Sequence, residues 1–250
     1  MRKMLLAVAL VFSAFAVFGE VAETRYSADG GETWTEGTLT EAVTAANKNA
    51  DTIIELNKNV KFPAGSQLTF SKASQKVLLR SNTETGERYT ITRTAGVGGS
   101  TEANLKLNAA SVSLTIENIL IDLGGTKGNV ISTISSTASN SSVVLGEGVE
   151  IFNAKMSDSA GTSSLVQMIG QNSSLTLDGA VIHDITGANM ILYASATKSG
   201  VSIIINAGGV RNCEISASGD GKSVVNVASA RYNGNNSFQA LPGLRRRIVL

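Results

Sequence analysis

From Leu114 onward the chain repeats one short pattern of apolar and polar positions. Leu114-Thr115-Ile116-Glu117-Asn118 closes at Ile121, and Val143-Val144-Leu145-Gly146-Glu147 closes at Ile151. Leu175-Thr176-Leu177-Asp178-Gly179 then closes at Ile182, and Ile203-Ile204-Ile205-Asn206-Ala207 at Val210. The closing residues fall 30, 31 and 28 positions apart. Each block opens with the apolar/polar alternation of a strand that buries one face. A strand pattern returning at such a period signals stacked coils, none of which can bury its apolar face alone. The pattern predicts an all-β fold, a parallel β-helix (solenoid).

A second strand series falls between these blocks: Leu105-Lys106-Leu107, Asn129-Val130-Ile131, Leu165-Val166-Gln167-Met168, Met190-Ile191-Leu192 and Val224-Val225-Asn226-Val227. Earlier strands are predicted at Thr52–Leu56, Gln67–Phe70, Lys76–Leu79 and Tyr89–Ile91. Together they count six or seven coils, a rod of about 30 Å at a strand spacing of roughly 4.8 Å. Ahead of the coils, Asp29-Gly30-Gly31 is a hairpin turn signal, since glycine takes positive φ without steric cost. Thr38 followed by Glu41 is a capping box, and Leu39, Ala42, Val43 and Ala46 fall on one helical face. A short N-terminal helix there would cap the open end of the solenoid.

The repeat also predicts what stacks on what. Ile121, Ile151, Ile182 and Val210 form an inward column, and Asp122, Phe152, His183 and Arg211 an outward one. Asn153, Asp184 and Asn212 follow as short polar residues suited to turns, where stacked asparagines bond each other along the axis. Ile185 and Cys213 return to the interior. On this register a charge placed at Ile182 unfolds the stack, and a charge at His183 is nearly silent.

Composition adds the boundaries. Arg2 and Lys3 precede an apolar run from Met4 to Phe18, the layout of an export signal, with cleavage expected before Glu20. A fifteen-residue, largely apolar run falls short of the roughly 20 that span a bilayer, so no transmembrane segment is expected after cleavage. The predicted organisation is a signal peptide at 1–19, a segment with the capping helix at 20–48, the β-helix at 49–230 and an irregular tail at 231–250. Two readings fit the tail: a truncated or frame-shifted continuation, or a disordered end. Losing Arg2 and Lys3 moves the formal charge from +1 to −1, which gives no electrostatic footprint for nucleic acid. The single cysteine, Cys213, has no intramolecular disulfide partner.

The segments Ser27-Ala28-Asp29-Gly30-Gly31 through Trp34, Thr38–Val43 and Asp51–Leu56 resemble the start of bacterial surface proteins built on right-handed parallel β-helices. Coils such as Ser174–Gly179 with Ile182 are similar to those of pectin-lyase-like adhesins and polymorphic outer-membrane proteins. The resemblance covers roughly residues 25 to 230. It implies an exported, non-enzymatic surface or secreted protein, adhesin-like or structural, that meets glycans or host and matrix proteins. A polysaccharide lyase or glycoside hydrolase on the same scaffold is the alternative, and a fragment of an autotransporter passenger the second alternative. Shared fold does not decide among them.

Candidate chemistry is sparse. A lyase of this fold would gather acidic calcium ligands beside a basic residue, which needs converging carboxylates. Glu117, Glu147 and Asp178 lie on successive coils, but Gly146 stands in the column of Glu117 and Asp178 and displaces Glu147 by one position. A hydrolase would need carboxylates roughly 5–10 Å apart; Asp178 and Asp184, with His183 beside them, are the candidates. Phe152, His183 and Arg211 are the candidate binding residues, the aromatic face offering a surface on which a sugar can stack. One histidine and one cysteine supply no metal-ligand set, and no cofactor motif is present.

Overall fold

The computed structural model describes residues 20–93, 103–125, 132–155, 164–186, 190–195, 198–211, 223–226 and 230–232. The predicted signal peptide at 1–19, the predicted strand Asn129-Val130-Ile131, Asn212, Cys213 and residues 233–250 lie outside them.

The chain opens with an antiparallel hairpin of β1 (Thr24–Ser27) and β2 (Thr35–Gly37), followed by helix α1 (Leu39–Ala46). The capping box forms as the sequence predicts: Thr38 Oγ1 accepts from the Glu41 amide, and the Glu41 carboxylate accepts from the Thr38 amide. Leu39, Ala42, Val43 and Ala46 are all buried, facing the solenoid end. Asn47 ties the helix to the coil beneath, donating to Thr69 O and accepting from the Ser71 amide.

Stacked turns follow. The first is β3 (Asp51–Leu56), β4 (Val60–Lys61) and β5 (Leu68–Phe70), and the second β6 (Lys76–Ser81), β7 (Tyr89–Thr92) and β8 (Ala103–Leu107). The third is β9 (Ser113–Glu117), β10 (Ile119–Asp122) and β11 (Ser132–Ser136), and the fourth β12 (Ser142–Leu145), β13 (Glu150–Lys155) and β14 (Ser164–Met168). Beyond them the first two strands of a coil fuse, in β15 (Ser174–Thr186) and β17 (Ser202–Arg211), with β16 (Met190–Ala194) and β18 (Ser223–Asn226) as third strands. β19 (Ala230–Tyr232) pairs with β17 and carries the ladder to Tyr232. The sequence pattern counts six or seven coils; the structure is a parallel β-solenoid of about four full turns, matching the four that have three separate strands.

The predicted register holds. Ile121 pairs with Ile151, Ile151 with Ile182, and Ile182 with Val210, a column that β4 and β7 extend back through Ile91 to Val60. The isoleucines and Val60 are buried, and Val210 packs half-buried against the core. A second inward column, Ile54, Leu79, Ile116, Leu145, Leu177 and Ile205, stacks in the first sheet. Burying a Leu or Ile side chain contributes roughly 1.5–3 kcal/mol, so each inward position of these columns adds stability on that scale.

Corners turn on residues with left-handed φ. Ser74, Ser111, Asn140 and Asn172 occupy one corner, with φ between 56° and 60°, and Asn172 Nδ2 donates to Asn140 Oδ1 at 3.2 Å. The asparagine pair thus sits before the first strand, a corner away from the predicted Asn153/Asp184/Asn212 series. Asn153 and Asp184 do adopt left-handed φ; Asn153 donates to Asp122 and Asp184 contacts His183, and Asn212 lies outside the described residues.

Candidate functional site

The outward column assembles on the second sheet. Asp122 pairs with Phe152, Phe152 with His183, and His183 with Arg211. At a strand spacing of roughly 4.8 Å the four side chains span about 14 Å along the axis. Alternation places them outside because their neighbours Ile121, Ile151 and Ile182 fill the core. Asn153 and Asp184 then turn the chain, so Ala154 and Ile185 face inward again.

The Phe152 and His183 rings stack with centroids 5.3 Å apart and planes 4° from parallel. His183 Nδ1 lies 2.6 Å from Asp184 Oδ2, and Nε2 lies 3.2 Å from Glu150 Oε2. Glu150 in turn pairs through Oε1 with Arg88 Nη2 at 2.9 Å. Arg88 also donates to Gly148 O. The result is a charge chain, Arg88–Glu150–His183–Asp184, that joins the second, fourth and fifth coils. A carboxylate only accepts, so both His183 contacts are hydrogen bonds together only when both ring nitrogens carry protons. Burial pushes the Glu150 carboxyl up, but the His183 hydrogen bond and the charge and hydrogen bond of Arg88 outweigh it and hold it below the ordinary value. At the far end of the strip Asp122 accepts from Asn153 Nδ2 at 2.9 Å and from the Gly124 amide.

Of the predicted site residues, the fold unites Phe152, His183 and Asp184 and places Arg211 opposite His183 on the next strand. Asp178 is exposed and lies six positions earlier in the same strand, at a bulge opposite Ala207. Six extended residues span roughly 20 Å before the bend is counted. Glu117 and Glu147 do not converge: a Cβ on Gly146 would sit 3.1 Å from Glu117 Cγ, and one on Gly179 the same distance from Glu147 Cα. Each acid is therefore stacked on a glycine of the next coil. Among the described residues no three His, Cys, Asp or Glu side chains gather in a metal-binding group, and no helix is long and apolar enough to cross a membrane.

Sequence reasoning missed Glu150 and Arg88. Glu150 lies opposite Val181, two positions from His183 and therefore diagonal to it. Diagonal neighbours are about 7–8 Å apart between backbones, within reach of long side chains. The predicted register contained that signal. Arg88 precedes β7 in a connection, where no periodicity assigns direction.

Both His183 ring nitrogens face carboxylates, and Glu150 is also ion-paired with Arg88. The strip offers charged groups and ring edges at set spacings. No family model, no curated protein and no solved structure matches this chain.

Proposed function

We propose that the chain is an exported, non-enzymatic surface or secreted protein, adhesin-like or structural, whose rigid β-helix meets glycans or host and matrix proteins. The observation that supports this reading is the cross-coil bonding of the outward strip. His183 is held by Asp184 and Glu150, and Phe152 is stacked on His183. Side chains already fixed in place lose little freedom when a ligand docks, which lowers the cost of binding. The Phe152 ring and the charged groups beside it suit an extended polar ligand with apolar C–H faces, the character of a glycan.

The test uses the exported chain on a glycan array and on immobilised matrix proteins, alongside a panel of pectin-like polymers with calcium. Saturable binding that weakens at least tenfold in Phe152→Ala, with no cleavage product, is the expected result. Calcium-dependent release of unsaturated, ultraviolet-absorbing products would overturn the reading and make the protein a lyase.

A further inference from the structure

Arg93 occupies a position that an apolar residue should hold. Lys61 pairs with Thr92 and Thr92 with Asp122, so the residues that follow, Phe62, Arg93 and Leu123, stack in one column. Backbone bonds confirm the register: Phe62 N donates to Thr92 O, Arg93 N to Asp122 O, and Leu123 N to Phe152 O. Phe62 is 3% exposed, Arg93 2% and Leu123 0%. A guanidinium is thus enclosed between a phenyl ring and a leucine at the corner that leaves the second sheet.

Its polar atoms are poorly satisfied. Nε donates to Leu123 O at 3.3 Å, and Nη2 is buried with no hydrogen-bond partner among the described residues. No ion pair to Arg93 exists among the described residues. The nearest acid along the ladder, Asp122, turns outward and already accepts from Asn153 and the Gly124 amide. Arginine does not shed its proton in proteins. A buried cation without a counter-charge is strongly unfavourable, and such groups are found paired.

From this geometry we infer that Arg93 is the binding residue of an internal anion site, taking one small oxyanion through its buried, unpartnered Nη2. An oxyanion suits the guanidinium fork better than a spherical halide, because the planar donors meet carboxylate, sulfate or phosphate oxygens directly. The ion must be small and free, because a residue 2% exposed offers no path for a polymer-borne group. The site is separate from the outward strip, since Arg93 faces the core and Asp122, Phe152 and His183 face solvent. Its function is to complete the second and third coils, so that the solenoid is stabilised when the ion is bound.

The experiment is thermal unfolding of the full chain against inorganic sulfate, at ionic strength held constant with sodium chloride, for wild type and Arg93→Met. Methionine fills the apolar column and carries no charge. Wild type should gain about 5 °C or more, saturably, at a hundredfold excess over Kd. Arg93→Met should show only the unsaturable salting effect common to all proteins, and without sulfate should melt no lower than wild type. Equal shifts in the two proteins would overturn the site. If Arg93→Met does not fold, equilibrium dialysis with labelled sulfate decides. One ion per wild-type chain, held at least tenfold more weakly by Arg93→Lys, supports the assignment; no bound ion, or equal affinity in both, refutes it.

Discussion

Glu55 joins the hairpin, the first coil and the second coil through one carboxylate. It is fully buried on β3. Its Oε2 accepts from Arg25 Nε at 2.8 Å and Nη2 at 2.7 Å, and its Oε1 from Arg80 Nε at 2.9 Å and Nη2 at 2.8 Å. Arg25 continues outward to Glu84 and Asn82 and lies 4.3 Å from the Trp34 ring centroid. Burial works against the Arg25 charge, but the hydrogen bonds and charges of Glu55 and Glu84 outweigh it and raise its pKa above the ordinary value. Glu55→Gln keeps the shape and removes the charge. The amide oxygen still serves one guanidinium, while the amide nitrogen turns a donor toward the other. With side chains only 13% and 25% exposed, Arg25 and Arg80 are left as mutually repelling cations. Breaking a buried pair by removing one partner costs about 3–5 kcal/mol. At about 2–4 °C per kcal/mol for a domain of this size, Tm falls by about 6–20 °C. Circular dichroism melts of both proteins measure this, repeated in 1 M sodium chloride. There the Debye length is about 3 Å, and exposed pairs lose their effect while this one should not. A loss below about 1 kcal/mol, or one that vanishes in salt, would place Glu55 with ordinary surface pairs and refute the clamp.

Four further outcomes are expected. Ile182→Asp puts an unpaired charge in a fully buried column and should abolish cooperative unfolding, a cost above about 4 kcal/mol. His183→Asp is no longer a silent control, because it sets a third carboxylate between Glu150 and Asp184; a melt lower than that of His183→Gln checks this. Asp29, Glu41 and Glu150 all have pKa values held below their ordinary 3.8 or 4.5: Asp29 by bonds from Ser27 and Thr33, Glu41 by Thr38, and Glu150 by His183 and Arg88 against its burial. The folded state therefore binds fewer protons than the unfolded one, and their stabilisation is complete above those ordinary values and lost as pH falls through the folded ones. Tm should hold from pH 7 to about 5 and decline below; a flat profile to pH 3 would contradict it. Finally, Gly208→Ala drives a Cβ to 1.9 Å from Ala180 O at φ +86°, whereas Gly30→Ala, at φ +80°, meets nothing within 4 Å. Denaturant titration should give a loss of about 1 kcal/mol for Gly30 and at least twice that for Gly208.

The fold was legible wherever apolar residues alternate, because one slip of register would turn every core side chain outward. Leu114, Val143, Leu175 and Ile203 stack as their pattern predicts. Legibility failed where a strand is polar on both faces. The third coil's last strand is Ser132-Thr133-Ile134-Ser135-Ser136, and only Ile134 reads as apolar. The predicted strand Asn129-Val130-Ile131 lies outside the described residues, and the pattern does not predict the polar strand just after it. In the observed strand Ser136 is fully buried inside, opposite Leu107 and Met168, which hydropathy does not anticipate. The turn asparagines show a related limit. Sequence indicates that Asn, Asp, Ser and Gly can take left-handed φ, but not which corner aligns two amides at bonding distance.

The outward strip was legible as a column and not as a network, and the difference bears on function. Read along one column, His183 stands between Phe152 and Arg211 as a lone titratable group, open to catalytic or binding roles. Read across the sheet, it is fixed by Asp184 beside it and by Glu150 one strand away, and Glu150 is fixed by Arg88. A general base needs a free nitrogen within reach of the proton it takes, and this ring has none to offer while both contacts stand. Freeing Nε2 would break the Glu150 bond and leave Arg88 as that acid's remaining ionic partner. Catalysis through Nε2 of His183 would therefore begin by breaking one of the side-chain contacts between its coil and the neighbouring one. Recognition has no such conflict, since the strand ladder sets the spacing of Asp122, Phe152 and Arg211 and the contacts of the ring can stand while a ligand meets them.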